Sequence, residues 1–241
     1  MAVHDVLAAA PKLHCVIYSW PRVQTQALVT AAALVGHARR VSVVDSADTA
    51  VAAPDGVEVV PIGRSAFFVR QFVRTLELFS GDVLLQIAGD AACDDWPALA
   101  RSFASRFGEQ PGLGVLAPEI DGTYWNTQRV AIGPVSPQGL VEVSQTDCIV
   151  WALRRELVSW LRTLDYSDVE LGWGIDHAAI ARARTTRLKV LRDLSLRVHH
   201  VPGAGYDYAQ ASEEMARFLG RLDEPEQAAL RALAEMRRPL G

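Results

Sequence analysis

Alternation of apolar strand-like runs with helix-like segments is the feature of this sequence that most restricts its fold. Five short runs rich in Val, Ile and Leu have the character of buried strands: 13–20, 41–46, 57–62, 83–90 and 112–120. Three segments between them have helical composition or spacing: 22–37, 65–81 and 96–107. This order predicts an α/β chain with a mixed, mostly parallel sheet that is flanked by helices on both faces.

The second half of the chain has a less regular pattern. We expect hairpin-like strands at 129–132 and 140–143, and a strand running into a helix over 146–161. Further on, the pattern predicts a polar loop and a helix over 165–187. It then predicts two short strands with a Gly-rich tail over 188–208 and two terminal helices over 211–238.

Composition restricts the class of partner and the compartment. Half of the 241 residues are apolar and 22% are charged, which is typical of a globular chain with a sizeable core. The net charge of −4 argues against a nucleic-acid partner. Three widely spaced cysteines favour reduced thiols over a disulfide framework. No run is long enough to cross a bilayer, and the first ten residues do not resemble a signal peptide. We therefore expect a cytoplasmic protein without a transmembrane segment, for which peripheral membrane contact stays open.

The polar residues at the strand ends are the first candidates for a site, because ligands of such sheets bind beyond the carboxyl ends of the strands. Ser19, Trp20 and Asp45 follow the first two strands. Asp90 follows the strand at 83–90 among small neighbours. A carboxylate there could hold Mg²⁺ or Mn²⁺ beside phosphate oxygens, or it could cap the next helix.

A second candidate is the loop GWGID at 172–176. Its two glycines permit unusual backbone angles on each side of Trp173, which could present its flat face to a sugar or base or could pack in the core. Glu170 and Asp176 provide acids across this loop, with Asp176 near a helix N-terminus. Asp176 could act as a general base on a hydroxyl, or it could be an ordinary first-turn residue.

The third candidate is the pair His199 and His200. Neutral imidazole is a common ligand of divalent ions. Neighbours on a strand point to opposite faces, so at most one of the two is expected to bind a metal.

Taken in order, these motifs over residues 13–208 resemble the GT-A-fold glycosyltransferases. IAGD, ending at Asp90, resembles the metal-binding DxD motif, and GWGID resembles the GWGxE/D motif that presents the catalytic base. VHH at 198–200 resembles the late metal-binding histidine. VRQF at 69–72 is similar to the Arg-Asn pair of inverting family 2 enzymes, which implies that Arg70 and Gln71 lie near the nucleotide. SWPR at 19–22 and Asp45 match the edges of the nucleotide pocket.

The resemblance implies one domain over 1–241, with a nucleotide-binding half (about 13–110), an acceptor and catalytic half (about 111–208) and C-terminal helices (211–238). It implies transfer of a sugar, with inversion, from a nucleotide-diphosphate donor to a hydroxyl of a glycan or small-molecule acceptor. Synthesis of a surface polysaccharide or glycan would be one setting.

The resemblance also assigns roles to residues. Asp176 would be the base, with Glu170 as its substitute. Asp90 and one of His199 and His200 would hold Mn²⁺ or Mg²⁺; because Ala91 and Ala92 follow Asp90, the DxD motif is incomplete and metal dependence stays open. The candidates for contact with the acceptor are Trp173, Asp147, Trp151 and the pair Tyr124–Trp125, with core packing as the alternative for Trp151.

Other classes are also considered. The loop SWPRVQT after the first strand contains no glycine, which argues against a nucleotidyltransferase and excludes a GxGxxG dehydrogenase. A catalytically degenerate GT-A-like protein that binds a nucleotide or glycan, or acts as a scaffold, stays open because the DxD motif is broken.

Overall fold

A computed structural model describes residues 10–48, 51–64, 67–201 and 206–237. The strands in these residues are β1 (Leu13–Ser19), β2 (Arg40–Asp45), β3 (Val57–Pro61), β4 (Val83–Ile87), β5 (Leu113–Asp121), β6 (Leu140–Glu142), β7 (Val150–Arg154) and β8 (Lys189–His199). The helices are α1 (Gln24–Leu34), α2 (Phe68–Leu78), α3 (Trp96–Glu109), α4 (Thr127–Val130), α5 (Arg155–Leu161), α6 (Ile175–Thr185), α7 (Tyr208–Gly220) and α8 (Glu224–Glu235). The N-terminal segment, for which we expect no signal peptide, and the Gly-rich stretch 202–205 lie outside the described residues.

The strands form one mixed sheet in the order β3-β2-β1-β4-β7-β5-β8-β6. The pairs β3–β2, β2–β1, β1–β4 and β5–β8 are parallel. β7 is antiparallel to both β4 and β5, and β6 is antiparallel to β8. The predicted α/β class with a mostly parallel, helix-flanked sheet is therefore confirmed.

Both faces of the sheet are buried, because alternate residues of each strand enter different apolar layers. On β1, Cys15 and Ile17 belong to the layer that contains residues of α1 and α3, whereas Val16 and Tyr18 belong to the other. That second layer contains residues of α2, α5, α6 and α7. Burial on both faces accounts for the nearly continuous apolar runs of the central strands.

Two local predictions in the second half of the chain are only partly right. Residues 127–130 form the short helix α4, because the side chain of Asn126 accepts a hydrogen bond from the N–H of Arg129 and begins a helical turn. Of the strand expected at 129–132, only Ala131 and Ile132 pair with the segment 140–143, through an antiparallel bridge to Val143 and a hydrogen bond to Glu142. Between 188 and 208 the structure has one strand, β8, where we expected two. Its pairing with β5 shifts register between Pro118 and Glu119, where residues 194–196 of β8 have no partner on β5.

The topology brings several chain segments to one edge of the sheet. The carboxyl ends of β1, β2 and β4 lie there, and so does the segment before β7, because β7 runs antiparallel to β4. The N–H of Ala88 donates to the carbonyl of Ile149 at 2.7 Å. Among the described residues, no helix has both the length and the apolar character needed to span a membrane.

Candidate active site

A pair of backbone hydrogen bonds joins the loop after β4 to the end of β8. The N–H of Ala92 donates to the carbonyl of His199 at 2.9 Å, and the N–H of His199 donates back at 2.8 Å. Gly89 allows this loop to pass close to β1, since a Cβ at this position would lie 2.2 Å from the carbonyl oxygen of Tyr18. The bridge brings His200 next to Asp90, with Nε2 3.3 Å from Oδ2.

His199 points away from this pair. Its Nδ1 lies 2.7 Å from Oδ2 of Asp121, and its side chain is half exposed. The structure therefore brings only His200, of the two histidines, to Asp90. The hydrogen bond with Asp90 raises the pKa of His200 above its ordinary value, although burial acts in the opposite direction.

Several polar atoms near this edge are enclosed and lack a hydrogen-bond partner. They include Oδ1 of Asp90, Nδ1 of His200 and Oδ1 of Asp147. A carboxylate oxygen and an imidazole nitrogen are donors that Mn²⁺ accepts, so Asp90 and His200 fit a divalent cation as a two-ligand site. No group of three or more candidate ligands occurs in the described part of the chain, so phosphate oxygens and water would complete the coordination.

Asp147 lies in the segment before β7. Its Oδ2 accepts a hydrogen bond from the hydroxyl of Thr123. Burial raises the pKa of Asp147, while that hydrogen bond and the charge of Arg192 act in the opposite direction. The negative charge of Asp176 also raises the pKa of Asp147.

Asp176 occupies the first turn of α6 and is only 7% exposed. The helix begins after Gly174, which has a left-handed backbone with φ of +94°. Gln145 donates from Nε2 to Oδ2 of Asp176 at 2.9 Å. The N–H of His177 donates to Oδ1 at 2.8 Å, and Nδ1 of the same residue lies 2.9 Å from that oxygen. These contacts hold the carboxylate in one orientation.

Glu170, the alternative base, has a different environment. Its side chain is exposed, while its backbone N–H donates to Glu214 at 2.9 Å and its carbonyl accepts from Val69 at 3.2 Å. No described contact joins its carboxylate to Asp176 or Gln145, so the structure gives Glu170 no place in the Asp176 cluster.

Trp173 belongs to an aromatic group beside α6. Its Nε1 donates to the hydroxyl of Tyr206 at 2.7 Å, and its ring meets the rings of Tyr206 and Tyr208 edge-on. Tyr208 is 58% exposed and Trp173 is partly exposed, so this group forms an aromatic surface. Such a surface suits the apolar face of a sugar ring.

The donor-side candidates lie at the ends of β1 and β2. Ser19 is buried with an unpartnered Oγ, and Trp20 is partly exposed against the core. Asp45 accepts hydrogen bonds from Gln24 at 2.7 Å and from the N–H of Ala47 at 3.1 Å.

The two candidates on α2 differ sharply. Gln71 is buried, and its amide donates to the carbonyls of Ser19 at 2.7 Å and Val44 at 3.4 Å, so it ties β1 to β2. Arg70 is exposed and has no hydrogen-bond or ion-pair partner among the residues that the structure describes.

The prediction that Trp151 contacts an acceptor is corrected by its position. Trp151 is 0% exposed and lies opposite Gln86 where β7 pairs with β4. Its ring is part of the larger apolar layer. Because β7 lies between two strands and is covered on both faces, its side chains pack in the core and do not reach the edge.

Trp125 is the centre of a group that sequence reasoning found only in part. It meets His177 edge-on at 5.6 Å between ring centroids. The guanidinium of Arg237 lies 4.7 Å from its ring centroid, and that of Arg129 lies 5.5 Å from it. Arg237 also donates to Oε1 of Gln145 at 3.1 Å. Neither arginine nor Gln145 lies in a sequence motif, so only the structure shows that these residues cluster around Trp125.

Buried Arg192 holds the segment that carries Trp125. It donates to the carbonyl of Trp125 at 2.7 Å and to the hydroxyl of Thr127 at 3.0 Å, and it lies 3.6 Å from Glu119. Burial lowers the pKa of Arg192, and Glu119 opposes that effect. An arginine in mid-strand was the only sequence signal for this anchor.

Several solved structures are similar to this chain. A mannosyltransferase from Pyrobaculum calidifontis, solved with GDP-Man and Mn²⁺, superposes with a TM-score of 0.60 at 14% identity, covering 95% of this chain and 71% of that one. GalNAc-T7, solved with UDP, GalNAc and Mn²⁺, gives 0.63 at 11% identity, covering 95% and 51%. TarS of S. aureus gives 0.58 at 15% identity, covering 93% and 42%.

The fold is therefore that of the GT-A-type glycosyltransferases, as the resemblance implied. The chain spans about half or less of the length of two of these three proteins. No protein-family model matches the sequence, and comparison with curated proteins gives no match.

Proposed function

We propose that this protein is a glycosyltransferase that moves a sugar from a nucleotide-diphosphate donor to an acceptor hydroxyl. The observation that carries the proposal is the convergence of two sites at one edge of the sheet. Asp90 and His200 form one, with enclosed and unpartnered donor atoms. Asp176, held by Gln145, forms the other. The segment before β7 contacts both, because Gln145 bonds Asp176 and the carbonyl of Ile149 accepts from Ala88 in the loop that carries Asp90, which supports treating the two as one site.

On the acceptor side, Asp176 is the proposed general base. The side chain of Gln145 and the backbone N–H of His177 fix its orientation, so one oxygen can take the proton of an acceptor hydroxyl. The hydroxyl oxygen then attacks the anomeric carbon from the face opposite the leaving diphosphate, and the configuration inverts in a single displacement. The aromatic surface of Trp173 would support the sugar or the acceptor ring.

On the donor side, the ends of β1 and β2 would hold the nucleotide, through Ser19, Trp20, Asp45 and the neighbouring Arg70. Asp90 and His200 would hold a divalent cation. When bound, such a cation neutralises charge that develops on the leaving diphosphate. Proteins of this fold have been solved with Mn²⁺, which supports manganese as the first ion to test.

The division of the chain forms part of the same proposal. We assign donor binding to about 13–110, acceptor binding and catalysis to about 111–208, and packing to the C-terminal helices. The proposal also includes a glycan or a small molecule as the acceptor, a role in surface polysaccharide or glycan synthesis, and a cytoplasmic location. The free state of Cys15, Cys93 and Cys148 supports that location.

The test combines nucleotide binding with turnover. The thermal shift of the protein is measured with UDP, GDP, CMP and dTDP, with and without Mn²⁺ or Mg²⁺. The corresponding nucleotide sugars are then incubated with a panel of glycan and small-molecule acceptors. We expect one nucleotide to stabilise the protein, and Asp176→Asn to lower turnover by about 10²–10⁴-fold while that stabilisation is kept.

The outcomes separate the candidate functions. Nucleotide binding without turnover by the wild-type protein on any acceptor would favour the nucleotide- or glycan-binding scaffold. Absence of stabilisation by every nucleotide would overturn the donor site. Full activity of Asp176→Asn would remove Asp176 as the base while leaving the transferase assignment in place.

A further inference from the structure

Two arginines meet over one tryptophan beside Asp176. The guanidinium carbon of Arg129 lies 4.1 Å from the ring centroid of Tyr124 and 5.5 Å from that of Trp125. The guanidinium carbon of Arg237 lies 4.7 Å from the ring centroid of Trp125. Arg129 follows β5 in the chain, whereas Arg237 follows α8, so the fold brings them together from distant segments.

Neither guanidinium has a carboxylate partner among the described residues. The side chain of Arg129 makes no hydrogen bond there, and its Nε and Nη1 are enclosed. Arg237 donates only to the neutral amide of Gln145, and its Nε is also enclosed without a partner. Arg184 and Arg192, by contrast, lie 2.7 Å from Glu142 and 3.6 Å from Glu119.

Placing two like charges together in a partly buried site is unfavourable unless an anion offsets them. Burial lowers the pKa of Arg237, and the charge of Arg129 lowers it further, while Asp176 acts in the opposite direction. Asp176 supplies one negative charge, which does not balance the two guanidinium groups around Trp125.

We propose that Arg129 and Arg237, which both contact the Tyr124–Trp125 platform, form an acceptor subsite for a phosphate or carboxylate group. The inference deepens the proposed function, because it names an anionic, hydroxyl-bearing molecule as the class of acceptor. A guanidinium presents paired N–H donors that match the oxygens of such groups.

The position of the pair assigns the anion to the acceptor and not to the donor diphosphate. Gln145 bonds both Arg237 and Asp176, so the anion would lie next to the proposed base. The proposed diphosphate site is built instead around Asp90 and His200. An anion held by the arginines would place a neighbouring hydroxyl of the same molecule near Asp176.

The test is titration of the full chain with inorganic phosphate, glycerol 3-phosphate and glycerol, followed by calorimetry and by the arginine Nε–Hε resonances in NMR spectra. Arg129→Gln and Arg237→Gln assign the two resonances. We expect phosphate and glycerol 3-phosphate to shift both resonances, and glycerol to shift neither. Each variant should weaken binding about tenfold or more, as loss of a charge-assisted hydrogen bond predicts. Arg101→Gln, at an exposed position of α3, is the matched control and should bind as the wild type does.

Other results would overturn the subsite. These are no binding of either anion, equal binding of glycerol, or equal weakening by Arg101→Gln. Binding that is lost in His200→Gln but kept in both arginine variants would assign the anion to the diphosphate site. That result would refute the acceptor subsite and would leave the proposed glycosyltransferase function unaffected. A parallel titration with phosphatidylglycerol vesicles distinguishes a lipid-borne anion from a soluble one. Binding of a soluble anion or of the vesicles supports the subsite if both arginine variants weaken it.

Discussion

Gln145 donates a hydrogen bond from Nε2 to Oδ2 of Asp176 at 2.9 Å, across the junction between the segment before β7 and the start of α6. The other end of the same amide accepts from Arg237. One neutral side chain thus orients the proposed base and one of the two acceptor-side cations.

Replacement of Gln145 by Leu should lower kcat about tenfold or more and leave KM for the donor within about twofold, because only the acceptor side loses its positioning contact. The variant should also lose about 1–3 kcal/mol of stability, since it leaves buried partners unsatisfied. Steady-state kinetics and urea unfolding check both values. Gln138→Leu, at an exposed position, is the control and should change neither. An equal rise in donor KM would contradict a purely acceptor-side role.

The cation site gives a prediction that separates the two histidines. Asp90→Asn and His200→Gln should each abolish any gain in thermal stability that Mn²⁺ adds to nucleotide binding, whereas His199→Gln should retain it, because His199 pairs with Asp121. A nucleotide present at a hundred times its dissociation constant adds about 2.7 kcal/mol to wild-type stability. Identical behaviour of the two histidine variants would refute the assignment of His200 as the ligand.

The left-handed backbone of Gly174 sets the start of α6. Gly174→Ala should destabilise the protein by about 1–2 kcal/mol, since an L-residue is strained at φ of +94° and the added Cβ would lie 3.0 Å from Cγ of Met215. Gly133→Ala adds a Cβ into open space and should change stability by less than about 0.5 kcal/mol. Denaturant unfolding of the two variants side by side is the measurement. Equal stability would mean that the loop relaxes around the new side chain.

A histidine outside the site gives the pH prediction. Burial, with a contribution from Arg40, lowers the pKa of His14 to about 4. Its Nδ1 accepts a hydrogen bond from the N–H of Ser80 at 3.2 Å, and its Nε2 lies 3.0 Å from Oγ of Ser42, so the neutral ring fits the site.

Between about pH 6.5 and the folded-state pKa, the unfolded chain binds the proton that the folded chain excludes. This contribution to stability is therefore present at neutral pH and is lost as the pH falls. Between pH 7 and pH 5 the loss should be about 2 kcal/mol. His14→Gln lacks the group, so the stability difference between wild type and variant should narrow by that amount. If the stability difference between wild type and variant stays constant from pH 7 to pH 5, the pKa of His14 is not lowered by burial.

The first half of the fold could be predicted because its pattern is locally determined. β1, β2 and β4 are buried on both faces, so each forms an apolar run with a polar residue, such as Asp45 or Asp90, at or just after its end. The second half depends on contacts that have no local pattern. α4 begins at the capping side chain of Asn126, and a register shift leaves residues 194–196 of β8 without partners on β5.

The site divides in the same way. Asp90, Asp176 and the histidine pair follow from their motifs, and strand alternation predicts that the two histidines diverge. The burial of Trp151 could not be predicted from the residues next to it in the sequence. Trp151 lies on β7, an antiparallel strand between β4 and β5, and the sequence does not indicate which strands flank β7. Arg129, Gln145 and Arg237 come from three separate segments, and only the tertiary structure brings them into one cluster.

The two hydrogen bonds between Ala92 and His199 bear on how such a protein could be diversified. An insertion on either side of this bridge would displace both Asp90 and His200, so changes of length in the loop after β4 and at the end of β8 are coupled. The loop that carries Tyr124 and Trp125 is not part of this bridge. A library that aims at new acceptors should therefore vary residues 122–126 and leave the bridged segments at their present lengths.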